Sequence, residues 1–201
     1  MSQSQPGPPQ AVDPTIKIYS IGNFNTIAAG YTDISDLGTW TVSSYKFGFG
    51  AECLRDNDGG TFWHSDGPQP HFITVHFSRR MPVQKIALYL AFMSDDSYTP
   101  QSLQIRAGTG MNDLQDVRTV VLEKPTGWVL FDLSLEPDEE GEGYRPLYAY
   151  VVQVVVIENH MKGKDTHVRG MRVFGPPEHQ KSEDDPFPFT TLKFKMYEGI
   201  R

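Results

Sequence analysis

The chain has 201 residues, a formal net charge of −7 and one cysteine. That length holds one domain with a sizeable core and is short for two, and the negative balance removes any fold-wide attraction to phosphate backbones, so nucleic acid is not an expected partner. One cysteine forms no internal disulfide; with no secretory h-region and no apolar run of about 18 residues, the chain reads as soluble and intracellular, without a membrane partner.

Residues 1–14, beginning MSQSQPGPPQ, are rich in Pro, Gln and Ser and offer almost nothing apolar to bury, so they are expected to be disordered. From about residue 38 onward apolar residues recur with a period of two. In HFITVHF the side formed by Ile73, Val75 and Phe77 is apolar, and in VQKIALYLAF the side formed by Ile86, Leu88, Leu90 and Phe92. Leu103, Ile105 and Ala107 repeat the pattern, as do Val129, Phe131 and Leu133. YAYVVQVVVIEN is apolar on both sides, as a central strand would be, and VRGMRVFG supplies a last strand through Met171 and Val173. Turn residues (Gly59-Gly60, Asp66-Gly67-Pro68, Gly108-Thr109-Gly110, Pro125-Thr126-Gly127) fall between these runs, and no long amphipathic helix interrupts them. The pattern predicts an all-β sandwich or jelly roll over residues 15–177.

The acidic stretch Glu136–Gly143 predicts a solvated loop, and residues 175–189 a Pro-rich linker out of the domain. In the final TLKFKMYEGIR, Leu192, Phe194 and Met196 share one side, so the tail over 178–201 ends in an extended segment that wants a surface to pack on.

The richest chemistry lies in ENHMKGKDTH, residues 158–167. His160, Asp165 and His167 are metal-ligand types, but Lys162 and Lys164 would repel a cation, and no metal is assigned. Asp56-Asn57-Asp58-Gly59-Gly60 begins like a calcium loop yet puts Gly60 where a third oxygen is needed, which favours an ordinary turn. There is no nucleophile elbow, no HExxH and no phosphate-cradling glycine loop, so no catalytic residue is assigned. Asp95 and Asp96 are read as turn formers or ligand contacts rather than an acid–base pair. Cys53 is read as a buried structural thiol, and Trp40, Trp63 and Trp128 as core residues, with a sugar-stacking platform the secondary reading.

Three stretches in this order and spacing are more specific: FGFGAECLRDNDGGTFWHSDGPQPHFITVHF, then SDDSYTP, then NHMKGKDTHVRGMRVF. Together they resemble the DOC-domain family, the small core subunits of the anaphase-promoting complex, over about residues 33–177 and the C-terminal end. The resemblance implies a galactose-binding-domain-like jelly roll inside a multisubunit ubiquitin ligase, without a cofactor or catalytic residue of its own. It implies a co-receptor that acts beside a WD40 coactivator on the destruction box of substrates and raises processivity, in nucleus and cytoplasm. Substrate contacts carry over to Ser94, Asp95, Ser97, Tyr98, Asn159, His160, Asp165 and His167, whose oxygens and N–H groups suit a peptide backbone. The terminal Ile200-Arg201 resembles the family's docking tail for a tetratricopeptide-repeat (TPR) subunit, and scaffold subunits are further implied partners. The acidic insertion around 136–145 departs from the family pattern, and Ile16–Tyr31 shows no counterpart in it. Two other classes remain in view: a jelly-roll glycan- or peptide-binding module, and a metal-dependent hydrolase built on His160, Asp165 and His167.

Overall fold

The structure is a computed structural model describing residues 19–134 and 145–177. The expected N-terminal tail, the acidic loop 136–143 and the linker and tail from 178, with Ile200 and Arg201, lie outside the described residues.

In chain order the elements are β1 (Tyr19–Gly22), α1 (Phe24–Ile27), β2 (Thr32–Asp33), β3 (Gly38–Val42), β4 (Trp63–His64), β5 (His71–Val83) and β6 (Lys85–Ala91). Then follow α2 (Phe92–Asp95), β7 (Pro100–Gly108), β8 (Gln115–Val121), β9 (Thr126–Asp132), β10 (Leu147–Asn159), β11 (His167–Val168) and β12 (Gly170–Gly175). They form one sheet in the order β1-β9-β6-β12-β2, a second in the order β3-β5-β10-β7-β8, and a small β11-β4 pair, with every ladder antiparallel.

The alternating residues meet between the sheets. Ile86, Leu88, Val129, Phe131, Met171 and Val173 from the first sheet share one core with Ile73, Val75, Leu103, Ile105, Val152, Val154 and Val156 from the second. Each such side chain contributes about 1.5–3 kcal/mol when fully buried. β10 is the central strand that its two-sided apolar pattern predicts, and the buried amide in its middle, Gln153, donates to Thr74 Oγ1 at 3.0 Å. The result is a jelly-roll β-sandwich.

Pairing starts earlier than the alternation reveals. β1 and β2 have four and two residues, too short to display a period, and α1 is a single turn capped by Asn23 Oδ1. This segment covers the outer face of the first sheet: Ile27 packs with Ala87, Leu130 and Phe174, and the Phe24 ring lies 4.9 Å from Trp128. β8 is an edge strand with a mostly exposed sequence, so it too carries no apolar alternation.

Ladder registers then place the chemistry. Val42 pairs with Ile73, His71 with Val156, and Asn159 with Pro100, while in the other sheet Ala91 pairs with Thr126 and Tyr89 with Gly170. Connections 43–70, 92–99, 122–125 and 160–169 therefore gather at one end of the sandwich.

Candidate functional site

Gly163 sets how the loops at this end meet. α2 is a single turn closed by Asp96 in the left-handed region (φ 47°), and residues 96–98 add a 3-10 turn. Residues 160–162 form a second 3-10 turn, in which Met161 and Lys162 take φ of 54° and 61°. A Cβ on the following Gly163 would stand 1.8 Å from the carbonyl oxygen of Ser97, so only glycine lets the two loops touch backbone to backbone.

Hydrogen bonds fix the rest of the 160–166 loop. His71 Nε2 donates to the Lys164 carbonyl at 2.6 Å and Gln69 Nε2 to the Gly163 carbonyl at 3.0 Å. Asn159 Nδ2 donates to the Asp165 and Gly163 carbonyls at 2.7 and 3.3 Å, and the Thr166 hydroxyl to the Tyr98 carbonyl at 3.3 Å. Thr166 N–H donates to Ser65 Oγ at 2.9 Å, and Ser65 N–H to the Thr166 carbonyl at 3.1 Å. The backbone and ring Nδ1 of His160 both bond the Thr99 carbonyl, and its Nε2 accepts from Lys124 N–H at 3.1 Å. His160 is thus a neutral clamp between the start of β7 and the β8–β9 turn.

At the centre lies an ionic cluster. Asp95, only 5% exposed, accepts from Arg169 Nε and Nη2 at 2.8 and 2.6 Å and from His167 Nδ1 at 3.3 Å. Burial alone would push this carboxyl up, but the hydrogen bonds from His167 and Arg169 outweigh it and hold it below the usual carboxylate range. Arg169 also donates to the Gly59 carbonyl at 2.9 Å and lies over the Phe62 ring, so one guanidinium joins two loops to the start of β12. The His167 ring is sandwiched between Phe62 (centroids 4.2 Å) and Tyr98 (4.3 Å, 8° between planes), and its Nε2 meets His64 Nδ1 at 3.2 Å.

All eight residues carried over from the family resemblance therefore lie at this end, in two layers. Ser94 and Tyr98 are exposed and Ser97 and Asp165 half-buried, forming a polar ledge. Asp95, Asn159, His160 and His167 are buried beneath it with hydrogen bonds to named partners. The nitrogens of His160 and His167 bond other protein groups rather than a common point, and among the described residues no group of three His, Cys, Asp or Glu is arranged to hold a metal. Asp56 and Asp58 spend their carboxylates on the Asp58 and Gly60 N–H groups, at 3.0 and 2.8 Å, as turn residues do. Burial pushes the Cys53 thiol up, helped by Glu52 and Asp56, away from thiolate character. Trp63 is fully buried, whereas Trp128 is half-buried and stacks on Tyr89 (5.4 Å) beside a cleft of about 290 Å³ that Arg169 also lines.

Sequence reasoning missed His64, Phe62, Arg169 and the enabling role of Gly163. For Arg169 a signal existed: it stands two residues after His167, so in an extended segment both face the same side, towards Asp95. His64 and Phe62 gave none, because they reach the site only through the fold.

The family model described as anaphase-promoting complex, subunit 10 (APC10), matches residues 18–199. It takes in nearly all of Ile16–Tyr31, which corrects the expectation that this segment has no counterpart; the segment's short strands hide its place in the sandwich. Anaphase-promoting complex subunit 10 of Schizosaccharomyces pombe is 40% identical over 173 residues, covering 86% of this chain and 89% of the relative. The Homo sapiens protein of the same name is 36% identical over 170 residues, covering 84% and 88%. Among solved structures, the family 32 CBM from C. perfringens NanJ in complex with galactose aligns with TM-score 0.57 at 16% identity, covering 72% of this chain and 98% of that one. The CBM32-1 and CBM32-2 domains from Clostridium perfringens ZmpB in complex with GalNAc align with TM-score 0.63 at 14% identity, covering 79% and 39%. What is shared with both is the galactose-binding-like jelly-roll fold.

Proposed function

The chain belongs to the family of anaphase-promoting complex subunit 10, and from that premise we propose that it is a non-catalytic subunit of this ubiquitin ligase whose loop end receives substrate. Beside a WD40 coactivator it contributes to destruction-box recognition, raises the number of ubiquitins added per encounter, and works in nucleus and cytoplasm. The observation that carries this reading is the two-layered loop end: a ledge of Ser94, Ser97, Tyr98 and Asp165 over a buried, hydrogen-bonded base. Hydroxyl and carboxylate oxygens accept from peptide N–H groups, hydroxyls donate to peptide carbonyls, and Tyr98 offers a flat apolar face. A ledge of this size binds weakly alone. A second anchor on the coactivator multiplies its effect through effective concentration, which is the physical meaning of a co-receptor.

Ile200 and Arg201 supply an apolar anchor, a cation and a carboxylate for a TPR subunit, with scaffold subunits holding the domain itself. The test adds the full chain, wild type or altered, to ligase particles lacking this subunit and scores incorporation and ubiquitins per substrate separately. Substitutions belong on the ledge (Ser94→Ala, Ser97→Ala and Asp165→Ala combined), because changes at the buried Asn159, His160 or His167 would loosen the loops themselves. The expected result is normal incorporation with fewer ubiquitins per encounter, and loss of incorporation when Ile200 and Arg201 are removed. Wild-type chain length with the ledge variant would move the substrate surface elsewhere.

A further inference from the structure

His64 is a half-buried imidazole on β4, and its partner β11 pairs with it over two residues only, His167↔His64 and Val168↔Trp63. Its backbone N–H donates to the Phe49 carbonyl and its own carbonyl accepts from Lys46 N–H, so the residue also ties down the 43–50 loop. That loop carries Tyr45 and Phe47, which are 57% and 96% exposed. The His64 ring stands edge-on to Tyr98 at 5.6 Å and to His167 at 4.5 Å. One side chain thus touches both rings that shape the ledge.

We propose that His64 is a positioning residue for this surface: by sharing one hydrogen with His167 it keeps the His167–Tyr98 stack in place, and a second proton on the pair opens the stack and weakens substrate binding. The inference rests on the reading of the loop end as the substrate surface.

The geometry fixes where hydrogens sit. A carboxylate only accepts, so His167 must carry a hydrogen on the Nδ1 that faces Asp95. Its Nε2 is left to face His64 Nδ1 at 3.2 Å, and a single hydrogen satisfies that gap. In the neutral pair His64 Nδ1–H donates to Nε2. With one proton added, Nε2–H donates back to His64 Nδ1, whose own hydrogen moves to the outer nitrogen. With two, N–H faces N–H between two cations, the bond is lost and the rings repel.

The charged and titratable groups around the pair are Lys46 from the 43–50 loop, Asp66 after β4, Asp165 from the 160–166 loop, Asp95 and Tyr98 from the 92–99 loop, and Arg169 before β12. Burial, His167 and Lys46 hold His64 below the ordinary imidazole value, against the opposing pull of Asp165 and Asp66. The pair is therefore closed at neutral pH and opens on the acid side.

The test uses the full chain with His64→Gln, whose amide still reaches His167 but does not titrate, and His64→Leu, which offers no polar partner. Ring ¹⁵N shifts of His64 and His167 and the ring resonances of Tyr98 are followed from about pH 7.5 down to about pH 5, well past the free imidazole value near 6.5 because His64 is held below it. Ubiquitins per substrate are scored at the same pH values in the reconstituted ligase, as the ratio of variant to wild type, which cancels the acid sensitivity of the other components. The expected outcome is that in the wild type Tyr98 moves with the second protonation of the pair and not with the first, and that it stays still in His64→Gln. The His64→Gln to wild-type ratio is then near unity at the higher pH and rises several-fold at the lower, while His64→Leu is impaired at both. Tyr98 shifts that ignore the imidazole titration, or the same pH profile in His64→Gln as in the wild type with Tyr98 moving alike in both, overturn the proposal. A ligase indifferent to the ledge substitutions would instead sink the functional reading, while the ring titration still decides whether His64 positions Tyr98.

Discussion

The interior of the sandwich and its loop end are both buried, yet they are held by opposite means. Between the sheets, Ile86, Leu88 and Leu90 are fully buried side chains whose contacts have no direction, and any neighbour of similar volume would serve nearly as well. At the loop end the buried residues include Asp95, Asn159, His160, Thr166 and His167, and each bond among them demands one donor facing one acceptor. The apolar interior makes the fold stable, and the polar cluster makes one arrangement of four connections cheaper than its alternatives. A surface that must present a few small groups in fixed positions needs the second kind of order.

Removing Asp95 should have the largest effect. Asp95→Ala leaves the Arg169 guanidinium, 14% exposed, without its counter-charge and His167 Nδ1 without an acceptor, for a loss of about 3–5 kcal/mol. In hydrogen exchange, amides of 92–99 and 160–168 should lose protection while those of β10 keep theirs. Leu88→Ala, in the interior, should cost about 2–5 kcal/mol and lower protection across both sheets, β10 included. If Asp95→Ala melts β10 as well, the two regions are one cooperative unit and the contrast fails. Gly163→Ala should come next, at about 1–3 kcal/mol, because the new Cβ must push the 160–166 loop off Ser97. Crowding acts locally, so Tyr98 fluorescence or ring shifts should change before the thermal midpoint moves by much more than about 2–4 °C per kcal/mol.

The interior was legible in the sequence and the loop end only in part, and the contrast explains why. Alternation is a property of consecutive residues, so Ile73, Val75 and Phe77 announce a buried face without knowing what covers it. β10 was readable as central because both its faces are apolar. The strands that stayed hidden, β1, β2 and β8, are short or lie at an edge, where little is buried in alternation. The family resemblance singles out Asp95, Asn159, His160 and His167, which the structure gathers at one end of the molecule, but which of them face solvent depends on partners far away in sequence. Asp95 meets Arg169 and His167 meets His64 only once β4, β11 and β12 are in register. Nothing in the sequence marks Gly163, because the Ser97 carbonyl that requires it lies on another loop.

The smallest effect compares two carboxylates rather than two regions at large. Asp132, at the end of β9, pairs with the Lys85 ammonium at 3.1 Å, but its side chain is 48% exposed, whereas that of Asp95 is 4% exposed. Burial pushes both carboxyls up and local hydrogen bonds more than reverse it: from Ser134 and Lys85 at Asp132, from His167 and Arg169 at Asp95. A carboxyl held low in the folded state stabilises the fold fully above its free value near 3.9, where both states are ionised. As pH falls below that, the unfolded chain takes up the proton first, and the contribution is lost through the folded value. Both residues should therefore weaken the protein on the acid side only. They should differ in salt: Asp132→Asn is expected to cost less than about 1 kcal/mol and to cost nothing measurable at high ionic strength, because water and ions already screen the pair. Asp95→Asn should keep its larger cost at every salt concentration, since the Arg169 pair is largely shielded from solvent. Urea unfolding of the two variants at low and at about 1 M salt, where the screening length falls to about 3 Å, separates them. A salt-sensitive Asp95→Asn would mean that solvent reaches the cluster, and that the ledge above it is less rigidly held than its hydrogen bonds imply.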